Sequence, residues 1–244
     1  MSNKKIVILA GGKGTRMESD LPKVLYPLKG KPLLSWLLGN LDDEMEITLV
    51  VGFQSEKVKD EFGDKYNYVL QKEQLGTGHA VGCVKESLKG FEGDILVLYG
   101  DHPLVSQKTV DALFDSHSKS KVNVTLMTAM VDDFEEWRAG FYNFGRILRN
   151  DNNDIVGIKE LVDSSDEEKE IKEINPAYFC FKSQWLWENI DKLKSENNQQ
   201  EYYLTDLIAL AFEQGIDINS VEIDPIECLG VNTKEQVEIL ESII

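Results

Sequence analysis

Short apolar runs alternate with helix-like patterns through the first half of the chain, and this alternation restricts the fold more than any other feature. Three runs rich in Ile, Val and Leu are typical of strands buried on both faces; they are KIVILA (5–10), ITLVVGF (47–53) and DILVLYG (94–100). The segments between them have amphipathic helical patterns, at 32–41, 55–62 and 76–88. Strand–helix–strand alternation predicts a mostly parallel sheet with right-handed crossovers, flanked by helices.

The second half starts in the same way and then changes. A helical pattern at 106–118 precedes a strand-like run at 122–131, and short strand-like pieces follow within 132–182. The remaining patterns are two helices, a strand and a last helix, at 184–194, 204–214, 217–223 and 233–243. We therefore predict a Rossmann-like α/β fold and a single domain over residues 1–244. Its main part covers about 1–130 and 225–244, and a smaller inserted lobe covers about 131–224.

Composition excludes several classes of protein. The chain has 244 residues and a net charge of −17, which disfavours nucleic acid as a partner. No apolar run approaches the roughly 20 residues of a membrane helix, and the apolar stretch near the N-terminus is too short for a signal peptide. The three cysteines are scattered and form no CxxC pair. We therefore expect a cytoplasmic protein in a reducing compartment, with no membrane partner.

Positive charge is concentrated at the N-terminal end of this acidic chain. Residues 1–31 carry seven Lys or Arg side chains and two acidic ones, whereas the rest of the chain carries 19 and 41. Two interpretations stay open from charge alone: chance clustering on a solvent-exposed face, or the binding of a small polyanion.

The first strand-like run ends in a glycine-rich segment, ILAGGKGTRM (8–17). Such segments often hold phosphates, because backbone N–H groups can approach the oxygens closely. The P-loop pattern does not fit, since Gly14 is followed by Thr15 and Arg16 where that pattern needs a lysine. The dinucleotide-binding pattern GxGxxG also fails, because Met17 takes the place of its third glycine and no acidic residue ends the next strand.

A third phosphate-binding arrangement does fit. Pro22 and Lys23 complete the order G-G-x-G-T-R…P-K, which resembles the nucleotidyltransferases that make nucleotide sugars. Further matches follow from about residue 6 to residue 240; they are QKEQLGTGHAV (71–81), YGDHPLV (99–105), FGRI (144–147), Glu160, EIN (173–175), EYYLTD (201–206) and GVN (230–232). Within that family, the series resembles the uridylyltransferase domain of N-acetylglucosamine-1-phosphate uridylyltransferases.

The resemblance implies Mg²⁺-dependent transfer of a uridylyl group from UTP to an amino-sugar 1-phosphate, N-acetylglucosamine 1-phosphate, with release of pyrophosphate. The attacking phosphate is largely ionised at neutral pH, so no general base is required. The demand is electrostatic and falls on cations and a metal ion. Other functions stay open: a related transferase for another sugar 1-phosphate or nucleotide, a non-catalytic nucleotide-sugar sensor, or a dinucleotide-dependent oxidoreductase.

The resemblance also implies roles for particular residues. Arg16 and Lys23 would be catalytic, with Arg16 on the departing pyrophosphate and Lys23 on the α-phosphate, and Asp101 and Asn232 would bind Mg²⁺. The nucleotide-binding positions are Leu9, Ala10, Gly11, Gly12, Gly14, Gln71, Gly76, Thr77 and Tyr99. The positions for the sugar phosphate are Gly100, Gly145, Glu160, Asn175, Tyr203 and Thr205. Residues 1–130 and 225–244 would thus bind the nucleotide, and 131–224 the sugar.

Several of these residues also have a structural interpretation. Arg16 and Lys23 are of types that form ordinary surface salt bridges. Asp101 and Asn232 are of types that cap helices, Gly76 and Thr77 can form a helix entry, and Tyr203 can belong to the core. We interpret His79 and His102 as structural rather than catalytic residues.

The chain departs from the family in three places. Pro176 and Ala177 follow EIN where the family has Thr-Gly, which leaves the identity of the sugar open, because proline lacks an N–H and alanine disfavours positive φ. The stretch 132–147 is longer than usual, so that Trp137 and Phe141 either cover the sugar or fill a gap. Hexapeptide repeats of the acetyltransferase kind are absent, so we expect no acetyl-CoA partner.

Overall fold

A computed structural model describes residues 3–197 and 199–244. The strands are β1 (Lys4–Ala10), β2 (Pro27–Leu28), β3 (Lys31–Pro32), β4 (Ile47–Val51), β5 (Asn67–Leu70), β6 (Asp94–Tyr99), β7 (Val124–Met130), β8 (Gly145–Arg149), β9 (Ile155–Lys159), β10 (Glu173–Asn175), β11 (Phe179–Lys182) and β12 (Ile218–Ile223). The α-helices are α1 (Leu33–Asn40), α2 (Ser55–Phe62), α3 (Thr77–Gly82), α4 (Gln107–Ser120), α5 (Asp166–Lys169), α6 (Ser183–Asn189), α7 (Asp206–Glu213) and α8 (Lys234–Ile243). Short 3-10 helices lie between them, among them Lys23–Leu25 and Glu136–Asn143.

The main sheet has the order β5-β4-β1-β6-β11-β7-β10-β8-β9, and β12 also pairs with β7. Strands β5, β4, β1, β6, β7 and β12 run in one direction, whereas β11 runs the opposite way between β6 and β7. The predicted α/β class with a mostly parallel sheet flanked by helices is confirmed.

Successive residues of β1 enter two different cores. Ile6 and Ile8 pack with residues of α1, α2, α4 and α8, whereas Val7 packs with residues of α3, α6 and α7. All three side chains are fully buried, and burying each contributes about 1.5–3 kcal/mol relative to exposure. Because side chains alternate across a strand, a strand covered by helices on both faces needs an uninterrupted apolar run.

Two elements differ from the sequence prediction. Strand β5 is not predicted, because it lies at the edge of the sheet and its four residues are only half buried or exposed, so they show no apolar run. The helix predicted over 76–88 ends as an α-helix at Gly82, after which i→i−3 bonds such as that from Lys85 N–H to the Gly82 carbonyl tighten the chain.

The parallel strands place the ends of β1 and β6 side by side. Leu9 pairs with Tyr99, and the N–H of Gly100 donates to the carbonyl oxygen of Leu9 at 2.9 Å. The glycine-rich segment and Asp101 therefore leave the sheet at the same edge, which is where ligands bind in open α/β sheets.

Within the described residues, every helix is too short or too polar to span a lipid bilayer.

Candidate active site

The glycine-rich segment closes onto Lys23. Gly14 has φ +67°, and a Cβ at this position would lie 2.9 Å from the Cβ of Lys23. The Lys23 N–H donates to the carbonyl oxygen of Gly12 at 3.2 Å. Glycine at position 14 therefore permits both the left-handed turn and the close approach that hold Lys23 beside the end of β1.

Four of the predicted residues converge at the mouth of this loop. Lys23 Nζ donates to a carboxylate oxygen of Asp101 and, at 2.6 Å, to Oδ1 of Asn232. Arg16 Nη2 donates to the same Oδ1 at 3.0 Å. The side chains of Lys23 and Asp101 are only 13% and 15% exposed. The structure thus joins residues that lie up to 216 positions apart in the sequence.

Asp101 and Asn232 are held together by the backbone, and neither caps a helix. Ser106 caps α4 and Thr233 caps α8. The N–H of Val231 donates to the Asp101 carbonyl oxygen at 2.9 Å, and the N–H of Asn232 donates to Oε1 of Gln236 at 2.6 Å. These bonds leave Oδ2 of Asp101 and Oδ1 of Asn232 directed at Lys23.

The carboxyl group of Asp101 stays ionised although it is buried. Burial acts most strongly and opposes ionisation, but the charge and hydrogen bond of the Lys23 ammonium outweigh it, so the pKa of Asp101 lies below its ordinary value. Burial lowers the pKa of His102, which therefore stays neutral at pH 7. His102 Nδ1 bonds the hydroxyl of Tyr178, which donates to the Glu227 carbonyl oxygen at 2.9 Å. His102 thus ties the Asp101 turn to the core.

A pocket of about 220 Å³ opens beside the pair of Lys23 and Asp101. Of the predicted nucleotide-binding residues, the lining includes Leu9, Gly11, Gly12, Gln71, Gly76, Thr77 and Tyr99. Ala10 and Gly14 are not among its described lining residues, since Ala10 is buried in the core and Gly14 rests on Lys23. Gln74 and Glu201 also line it. Neither residue is predicted from the sequence, although both lie in matched stretches.

A larger pocket of about 660 Å³ adjoins the first, and Thr77 lines both. It brings together three predicted sugar-site residues, Glu160, Tyr203 and Thr205. Gly145 and Asn175 are not among its described lining residues but pair across β8 and β10 behind Glu160; a Cβ on Gly145 would lie 3.5 Å from Glu160 Oε1. Gly100 instead lies beneath Val24, beside Leu9 and the smaller pocket.

The larger pocket has an acidic wall. Partial burial, reinforced by the charges of Asp206 and Asp163, raises the pKa of Glu160, and partial burial also raises the pKa of Asp206. None of the described lining residues is basic. Sequence reasoning missed Asp206, although it directly follows Thr205 in the matched EYYLTD stretch. The pocket therefore suits a ligand that donates hydroxyl or N–H groups and disfavours an anionic one.

The turn after Asn175 contains Pro176 and Ala177. Ala177 adopts φ +63°, a region that alanine disfavours. Its N–H donates to Oδ1 of Asn175 at 2.9 Å, which satisfies the side-chain oxygen of this buried residue. The turn therefore contains a strained residue, since a left-handed non-glycine conformation costs about 1–2 kcal/mol.

We expect Ala177→Gly to stabilise the protein by about 1 kcal/mol, because glycine adopts this φ without strain. Chemical denaturation measures the effect, which corresponds to a rise in Tm of roughly 2–4 °C for a chain of this size. Ala112→Gly, at an exposed position inside α4, is the matched control and should destabilise by about 1 kcal/mol. Equal losses in both variants would show that Ala177 is not strained.

The long stretch before Gly145 fills a gap and does not cover the larger pocket. Phe141 is 2% exposed and makes T-shaped contacts with Trp137 and Phe144, with ring centroids 5.8 and 5.2 Å apart. The three rings line a cavity of about 60 Å³ with Asn232 and Leu240. This segment thus packs behind the turn that carries Asn232.

The glycine-rich loop and the cations Arg16 and Lys23 lie at the carboxyl edge of the sheet, where open α/β proteins bind their ligands. The family model of the MobA-like NTP transferase domain matches residues 6–205. The chain therefore belongs to this family of nucleotidyltransferases, and the family resemblance drawn from the sequence is confirmed.

Curated relatives are similar to this chain over nearly its whole length. The bifunctional protein GlmU of Clostridium novyi is 40% identical over 244 residues, which cover 99% of this chain and 52% of the relative. The GlmU proteins of Geotalea daltonii and Enterococcus faecalis are each 39% identical, over 97% and 96% of this chain and 51% and 50% of their own length. The chain thus spans about half the length of these relatives.

A solved structure shares the fold. It is a Bacillus anthracis protein provisionally named a glucose-1-phosphate thymidylyltransferase, crystallised in complex with a sucrose. The TM-score is 0.72 at 20% identity, over 98% of this chain and 94% of that one. At this identity the likeness supports the fold alone.

Proposed function

We propose that the protein transfers a uridylyl group from UTP to N-acetylglucosamine 1-phosphate, giving UDP-N-acetylglucosamine and pyrophosphate. The convergence of Arg16, Lys23, Asp101 and Asn232 beside the smaller pocket carries this proposal. The match to GlmU proteins supports the choice of uridylyl and amino sugar. We assign the nucleotide to residues 1–130 and 225–244, with Thr77 shared between the pockets, and the sugar to residues 131–224.

The donor set at Asp101 and Asn232 suits Mg²⁺. A carboxylate and an amide oxygen, both hard ligands, already point at one cation, the Lys23 ammonium. Across the described part of the chain, His, Cys, Asp and Glu side chains nowhere gather in a group of three or more that could hold a metal ion. Two protein ligands are sufficient, because Mg²⁺ commonly takes one or two from the protein and the rest from phosphates and water.

The chain's own residues perform the electrostatic work of the reaction. Lys23 binds the α-phosphate as a point charge, and the fork of Arg16 binds the departing pyrophosphate. The sugar phosphate oxygen is already ionised, so no side chain has to remove a proton. Bound Mg²⁺ would supply Lewis-acid stabilisation of the phosphate oxygens.

The two pockets support the assignment of the ligands. The Oε1 atom of Gln71 and the Gly76–Thr77 turn provide polar groups for the edge of a base, while Gly11 and Gly12 admit close approach of phosphates. The larger pocket, acidic and without a described basic group, suits an uncharged sugar whose phosphate projects toward Lys23. Glu160, Tyr203 and Thr205 line this pocket and would contact the hydroxyl and acetamide groups of the sugar. Asn175, which lies behind Glu160, is assigned to the same sugar site.

We expect UTP, N-acetylglucosamine 1-phosphate and Mg²⁺ to yield pyrophosphate, measured by coupled phosphate release. Four nucleoside triphosphates are crossed with N-acetylglucosamine, glucosamine and glucose 1-phosphates to define both substrates. EDTA should abolish the signal, and excess Mg²⁺ should restore it. Turnover that survives EDTA would overturn the metal assignment, and preference for another pair would overturn the substrate assignment.

A further inference from the structure

The base-reading side chain, Gln71, has a partner that the proposed reaction does not use. Gln71 is 5% exposed, and its Nε2 lies 3.1 Å from the carbonyl oxygen of Gly76 and 3.1 Å from Nδ1 of His79. The Gly76 carbonyl can only accept, so the amide nitrogen must face it. The second hydrogen on Nε2 then points at His79, whose Nδ1 has to accept it.

This pairing fixes the direction of the amide oxygen. Because both hydrogens of Nε2 are engaged, Oε1 is the group that remains for a ligand. Oε1 lies on the side of Gly11, since a Cβ added to Gly11 would be only 3.2 Å from this oxygen. Gly11 and Gln71 both line the smaller pocket. The pocket therefore receives a hydrogen-bond acceptor from Gln71 and not a donor.

His79 is itself held in the form that accepts at Nδ1. It lies on α3, and its Nε2 is 3.9 Å from Sγ of Cys83, one helical turn further on. In the neutral ring with Nδ1 unprotonated, Nε2 carries the hydrogen and directs it at this weak acceptor. The ring centroid also lies 6.5 Å from that of Tyr202. These neighbours restrict rotation of the ring away from Gln71.

We propose that His79 is a positioning residue for base selection, which rests on the proposed function. By holding the Gln71 amide with Oε1 toward the pocket, it makes the site complementary to a base with an N–H at its pairing edge. Uracil and thymine present N3–H there, whereas the N3 of cytosine is an acceptor and would face Oε1 without a hydrogen between them. A site that hydrogen-bonds its substrate discriminates strongly against a base that leaves the bond unmade.

The test compares His79→Leu with His79→Asn. The two new side chains are close in size, but only asparagine has a hydrogen-bond acceptor, Oδ1, at the δ position. Steady-state kcat/KM is measured for UTP, dTTP and CTP with the sugar 1-phosphate that the wild type uses best. We expect His79→Leu to lower the UTP-to-CTP ratio of kcat/KM about tenfold, because one of the two bonds that orient the amide is lost. The loss should fall mainly on KM for UTP, since Lys23 and Asp101 are untouched. His79→Asn should keep the ratio within about threefold of wild type.

Thermal unfolding checks that the variants are folded, and His79→Ala replaces His79→Leu if the latter does not fold. An unchanged ratio in the variant without an acceptor overturns the inference, as does an equal loss in His79→Asn. A wild type that turns over none of the nucleotides would overturn the proposed function and this inference with it. Normal turnover with an unchanged ratio would overturn this inference alone.

Discussion

Lys23→Ala should lower kcat by about 10²–10³-fold, the usual loss when one group that stabilises transition-state charge is removed. Lys23 Nζ is the cation closest to both Asp101 and Asn232, and its side chain is 13% exposed, so solvent screens it weakly. KM for the sugar phosphate should change less, because only its phosphate projects toward Lys23 and its sugar ring is assigned to the other pocket. Initial rates of pyrophosphate release measure both constants.

Lys13→Ala is the matched control for this variant. It removes the same charge from the glycine-rich segment (8–17) that closes onto Lys23, but Lys13 is an exposed residue whose Nζ lies over the Phe53 ring, 5.4 Å from its centroid. We expect its kcat to stay within about threefold of wild type, as for a solvent-screened surface charge. Equal losses in the two variants would mean that the overall positive charge of residues 1–31 matters, and not the position of Lys23.

The fold was predictable wherever local pattern and burial agree. The apolar runs of β1, β4 and β6 are buried on both faces, so their strand character is visible in sequence. Strand β11 shows the limit of this reasoning. Its short run, Phe179–Lys182, reads as a strand, but its position between β6 and β7, antiparallel to both, depends on contacts with residues more than 50 positions away. Period-two patterns carry no information about such partners.

The site was predictable where a motif marks it and less so where geometry does. Arg16, Lys23, Asp101 and Asn232 were selected from separate motifs, and the structure brings them together. Gly145 and Asn175 were selected in the same way but lie behind Glu160 and do not line the described pocket. The pairing of His79 with Gln71 could not be predicted, because a hydrogen bond between a helix and the end of a strand depends on side-chain orientation, which spacing alone does not define.

Asp101→Asn should lower kcat/KM by about 10²-fold at a fixed Mg²⁺ concentration, because the amide keeps the shape of the carboxylate but removes the charge that binds a divalent cation. The concentration of Mg²⁺ for half-maximal activity should rise, and high Mg²⁺ should restore part of the rate. Asp217→Asn is the control, because it removes the same charge elsewhere. Asp217 is exposed and lies before β12, at the opposite edge of the sheet. Its Mg²⁺ dependence should match that of the wild type. If Asp101→Asn kept the wild-type Mg²⁺ dependence while losing activity, Asp101 would act through Lys23 alone. The proposed metal site would then be wrong, even though the contacts of Asp101 with Lys23 would still account for the lost rate.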